Sequence, residues 1–189
     1  MEDIDPYEDG VTHINVYSKG NTEIGRLLSN FAHTPFTHPK YGHFESVEGL
    51  WYYLSSGCQG EELRELYGFE AKKVGRQIME NIQWSTVEGK ERPNEANEEF
   101  IEDIKEGIRQ KLRENRDILN KLCKTQDLPL VHYYVYYGKH KDEEGRRSYK
   151  VRQAGGEWMM KELESIRRVS NNYLRQKEAR RKKETFELI

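Results

Sequence analysis

Apolar side chains recur along this chain at helical spacing in three long stretches. Val47, Leu50, Trp51 and Leu54 follow i, i+3, i+4, i+7, which predicts a helix over Ser46–Ser55 with one apolar stripe. Ser46 suits its N-cap, and Glu48 puts a carboxylate in its first turn. Ile101, Ile104, Ile108, Leu112, Leu119 and Leu122 form a second stripe, predicting one long helix over Asn97–Lys124. Met159, Leu163, Ile166 and Val169 form the third, in a helix running from Glu157 to about Lys183 that loses its apolar face in its second half. A further helix is expected over Glu61–Asn81, bent or broken at Gly68 or Gly75.

The remaining pattern is extended or irregular. His13–Tyr17 alternates polar and apolar groups and reads as a short strand, followed by a turn at Ser18–Asn21. Glu23–Phe36 reads as a short strand and a loop, and Thr37–Gly42 as a turn. Ile82–Asn97 is polar and reads as a loop. Leu130–Tyr137 (LVHYYVYY) is rich in strand formers, and Gly138–Gly145 reads as a charged turn. The sum is an α+β fold, a compact single domain dominated by helices. A small sheet is expected to hold Ile14–Tyr17 and Leu130–Tyr137.

Composition changes this picture only at the ends. The chain has 189 residues, 35% hydrophobic and 34% charged, and its 12 Tyr, 6 Phe and 3 Trp are enough to build a core. Its net charge of −2 argues against a general nucleic-acid coat protein. Residues 1–12 form an acidic leader, expected to be loose, residues 13–172 the domain, and residues 173–189 a basic helical extension. Cys58 and Cys123 form no CxxC pair and read as free thiols in a reducing compartment. With no signal-peptide pattern and no apolar run of membrane-spanning length, the expected location is cytoplasmic, away from membranes.

Several separated segments converge. Leu28-Ser29-Asn30-Phe31-Ala32 precedes Pro35-Phe36, and Phe44-Glu45-Ser46-Val47-Glu48 opens an aromatic-rich helix. Trp84, Lys111–Asn115, Leu119–Thr125, Leu130-Val131 and Gly155–Met160 follow, with Ile166-Arg167 in the last helix. In this order they resemble the NADAR family, also called YbiA-like, over about residues 13–169. The LSNFA and SVE pieces carry most of the resemblance. It implies cleavage of an N-glycosidic bond to ribose, in ADP-ribosylated guanine of nucleic acid or in ribosylated intermediates of riboflavin synthesis. It implies no metal and no organic cofactor. The chain departs from the family pattern at His132, where a Glu is expected, at Tyr137-Gly138 in place of Trp-Gly, and at Gln153 in place of Asn.

Breaking such a bond builds positive charge on the sugar as the base departs. A carboxyl near C1′ can stabilise that charge or protonate the leaving base. Glu48 is the catalytic candidate, with Trp51 and Tyr52 expected to form an apolar wall that raises its pKa. Its other use is to favour the first turn of a helix while pointing to solvent. Ser29 and Asn30 are candidates for holding ribose or phosphate, or else for closing a turn. Phe31 and Trp84 are candidates for stacking on a base, or else for packing. His132 is a donor to phosphate or a proton carrier, or else a structural residue. Arg152 and Gln153, with the Gly155-Gly156 amides, are candidates for gripping a pyrophosphate. The face of the Tyr-rich strand that meets the site is left open. His132, Tyr134 and Tyr136 share one side, and Tyr133, Val135 and Tyr137 the other.

The basic stretch Arg175–Lys183 offers a weak contact to nucleic-acid phosphates, or is a solvated helix. Three functions follow: an N-glycosidase, a catalytically impaired ADP-ribose-binding module of the same fold, or an interaction protein acting through its terminal helix.

Overall fold

The computed structural model describes residues 4–82 and 93–186, with side chains through residue 182. Among the described residues, six α-helices and three two-stranded sheets build one mixed α+β domain. In chain order they are β1 (Ile14–Asn15), α1 (Glu23–Leu28), β2 (Phe36–His38), β3 (Gly42–Phe44), α2 (Val47–Ser55) and α3 (Gly68–Asn81). Then come α4 (Glu98–Glu114), α5 (Arg116–Lys124), β4 (Leu130–Val131), β5 (Tyr133–Lys141), β6 (Arg147–Gln153) and α6 (Glu157–Phe186).

The three predicted stripes meet in one core, except that Val169, expected in the third, is exposed. Val47, Leu50 and Leu54 of α2 pack with Ile104, Ile108 and Leu112 of α4, and with Met159, Met160 and Leu163 of α6. Phe36 and Phe44, paired in the β2–β3 hairpin, are fully buried against them. Ser46 caps α2 as expected: its Oγ accepts the Gly49 amide at 3.0 Å and donates to Leu66 O at 2.8 Å. Gly49 is required there, because a Cβ would strike the Leu63 carbonyl.

The structure corrects several expectations. Residues 23–28 form a helix and not a strand, because Thr22 Oγ1 caps Gly25 N at 3.1 Å. Thr37–Gly42 does hold the expected turn, at residues 39–41, but its ends belong to the β2–β3 hairpin strands. The long helix over Asn97–Lys124 is two helices. Its chain breaks at Asn115, whose side-chain amide donates to Pro35 O at 2.9 Å and Lys111 O at 2.8 Å. Residues 61–65 form a 3-10 turn that ends before α3 begins at Gly68, where a break had been anticipated.

The expected small sheet is divided. Ile14–Asn15 does pair with Leu130–Val131, in parallel, but Tyr133–Lys141 turns away and pairs antiparallel with Arg147–Gln153. The charged stretch read as a turn from Gly138 is strand as far as Lys141. The leader is not loose over its described part. Asp9 is buried and accepts the Asn15 amide at 2.9 Å and the Asn21 amide at 2.7 Å. Tyr7 accepts the Arg147 amide at 2.7 Å. Neither cysteine is in a disulfide, and no described helix is long and apolar enough to cross a membrane.

Candidate active site

α1 ends at Leu28, and the next three residues form a short pinned loop. The Ser29 carbonyl accepts the Ala32 amide at 3.2 Å and the Lys111 Nζ at 2.9 Å. Ser29 Oγ accepts the Phe31 amide at 3.2 Å, so this serine takes its turn-closing role. The Asn30 carbonyl accepts the backbone amide of Glu48 at 2.9 Å, joining the loop to the first turn of α2. The Asn30 side chain does not fold onto its own backbone. Its Nδ2 reaches Met159 Sδ at 3.5 Å on α6.

Lys111 is 1% exposed, and burial pushes its amine down to about 7. At neutral pH it is about half protonated, and in either state it donates to the loop from the last turn of α4.

Above the loop lies a cavity of about 410 Å³. Glu48 is 8% exposed on its wall, and desolvation pushes its carboxyl up to about 7. Lys72 and Arg76 oppose that shift by their charge. The apolar surroundings that desolvate Glu48 include Leu28, Phe31, Ile108, Met160 and Leu163. Trp51 and Tyr52, expected as an apolar wall, do not line the cavity.

His132 lines the same cavity. Its Nδ1 lies 3.2 Å from Gly155 O, so that nitrogen carries the proton and Nε2 keeps its lone pair. Burial lowers its pKa, with the Lys72 charge adding to the effect, so the imidazole is neutral at pH 7. Tyr134 stands beside it, edge-on to Tyr17 at 5.2 Å between ring centres. The Tyr-rich strand therefore turns its His132–Tyr134 side to the cavity, while Tyr133 is buried against His13 at 2.7 Å.

Five of the nine predicted site residues line this one cavity: Ser29, Asn30, Phe31, Glu48 and His132. Three are placed elsewhere. Trp51 stacks on Trp158 and packs edge-on to Phe100, because its position on α2 turns it toward α4 and α6. Arg152 and Gln153 are exposed on β6 and do not line the cavity. The Gly155-Gly156 segment serves His132 instead: Ala154 N donates to His132 O at 3.0 Å, and Gly155 O takes the imidazole. Trp84 lies outside the described residues.

The sequence reading missed Lys72, Arg76 and Phe69. They sit at helical spacing on one side of α3, and that spacing is the signal that could have found them. Lys72 Nζ lies 5.4 Å from the centre of the Phe31 ring. With Lys19, these cations leave the cavity positively charged around a single carboxyl. No protein-family model, curated protein or solved structure matches this chain.

Proposed function

We propose that this protein is an N-glycosidase that hydrolyses a ribosyl N-glycosidic bond in an ADP-ribosylated base or a related ribosylated compound. The observation that carries this reading is Glu48: one nearly buried carboxyl, poised near neutral pH, on the wall of a cavity rimmed by cations. An acid of this kind is half protonated where it works, which suits proton transfer.

In the proposed reaction, protonated Glu48 gives its proton to the base nitrogen as the C1′–N bond breaks. The electron pair leaves with the base, and positive charge develops on the sugar. The resulting carboxylate faces that charge and stabilises it. A water then attacks C1′, and Glu48 takes the proton that this water loses, which restores the acid. In this reading Asn30, on the cavity wall, holds sugar hydroxyls, and neutral His132 offers Nε2 as an acceptor. Lys72, Arg76 and Lys19 suit a phosphorylated substituent on the ribose.

The test is a panel of ADP-ribosylated guanosine DNA, ADP-ribosylated protein, NAD and ribosylated pyrimidines, read by mass spectrometry. Glu48→Gln is expected to keep ligand binding and to lower turnover by roughly 10²–10⁴. Equal turnover in that variant would remove Glu48 from the chemistry. Calorimetric binding of ADP-ribose with no product from any substrate would assign the fold to a binding module, with His132 standing where the resembled family carries an acid.

A further inference from the structure

The β5–β6 ribbon leaves the domain beside the cavity, and its two sides are treated differently. Residues paired across antiparallel strands share a side. Tyr134 pairs with Arg152 and Tyr136 with Lys150. The other side carries Tyr137 opposite Tyr149, and the leader covers it: the Tyr7 ring lies 5.8 Å from Tyr137 and 6.0 Å from Tyr149. On the Tyr134–Tyr136 side, Tyr17 packs edge-on against Tyr134, while Tyr136 beyond it is left exposed. This side begins at the cavity wall, where Tyr134 stands, and runs outward past a second cleft of about 330 Å³ that is lined by Asp9, Tyr17, Lys19 and strand residues 133–137, of both sides.

Tyr136 is 57% exposed, a large aromatic surface for a folded protein to leave in water. Lys150 and Arg152 are exposed beside it and form no ion pair among the described residues. Alternating tyrosines and unneutralised cations match the two needs of an unpaired nucleic-acid strand, which are stacking for bases and charge for phosphates. A duplex offers phosphates but keeps its bases stacked on each other.

We infer that the Tyr134–Tyr136–Lys150–Arg152 side of the ribbon is a docking track for single-stranded nucleic acid leading into the Glu48 cavity. Tyr136 stacks on a base beside the nucleotide that enters. Lys150 and Arg152 contact the backbone, and Lys19 continues the cationic path to the cavity rim. Which nucleotide enters rests on the glycosidase reading, but the docking itself requires no turnover.

The experiment is fluorescence anisotropy with the full chain and a labelled oligothymidine of about 15 nucleotides, within the site sizes of single-strand binders. A duplex of equal length serves as competitor, across a salt series. Wild type is expected to bind the single strand more tightly than the duplex, with affinity falling as salt rises. Tyr136→Ala should weaken binding roughly tenfold, and Lys150→Glu should flatten the salt dependence. Both positions are exposed, and circular dichroism checks that the variants fold. Glu48→Gln should leave the strand-binding curve in place, so loss of hydrolysis and loss of docking are read separately. The inference is overturned if wild type does not bind, if the duplex binds as well as the single strand, or if the Tyr136→Ala, Lys150→Glu double variant binds like wild type. The last result would point to the basic end of α6.

Discussion

A carboxyl on the first turn of α2 and an amine inside α4 have both lost nearly all their water. Burial pushes Glu48 up and Lys111 down, each to about 7. For Glu48 the folded value lies above the ordinary 4.5, so between about 4.5 and 7 the folded protein holds a proton that the unfolded chain has released. Its burial therefore costs stability progressively as pH rises through that window, and fully above it. Glu48→Gln removes the charge and keeps the shape. It should raise stability at pH 8 by up to about 3 kcal/mol, and by little at pH 4, in urea unfolding at the two values. A gain equal at both would mean that the carboxyl is not desolvated. The residue that invites water loss is also the one proposed for chemistry, a common cost of a working site. Asn30 shows a second limit at this scale. Its alternatives, turn or ligand, are equivalent in one dimension, and only the approach of Met159 turns the side chain outward.

At the scale of elements, local rules worked where one helix carried its own cap and stripe. Ser46 is the clearest case, since its single hydroxyl holds the α2 amide of Gly49 and the carbonyl of Leu66. Ser46→Ala should cost about 1–2 kcal/mol in thermal or urea unfolding, because both backbone groups lose a partner where the site is buried. A change within error would show that water replaces the hydroxyl. Local rules failed where the deciding contact came from elsewhere. α4 and α5 read as one helix because their apolar stripe is nearly continuous, yet Asn115 is held out of helical geometry by the Pro35 carbonyl across the fold. β6 was missed because Arg147–Gln153 is almost wholly exposed and its alternation holds only two apolar residues, Tyr149 and Val151.

At the scale of the whole molecule, the cavity is assembled from segments far apart in the chain. Ser29–Phe31, Glu48, the α3 cations, Ile108, His132–Tyr134 and the α6 methionines meet around one space. α6 enters this assembly only through its first half. Its residues 176–182 are all exposed. Deleting residues 176–189 should therefore change stability by less than about 1 kcal/mol and leave the proposed binding of ADP-ribose to the cavity unaffected, as read by calorimetry. A large loss of stability would show that the extension packs on the domain.

The amino-acid order alone determined the α2, α4 and α6 stripes and the Ser46 cap of the Gly49 amide, because each rests on contacts a few residues apart. The tertiary structure decided which side of the Tyr-rich strand faces the cavity, turned Trp51 away from it, and brought Lys72 and Arg76 to its rim. Those outcomes depend on how whole elements pack, and the energy that separates them lies in contacts between residues distant along the chain.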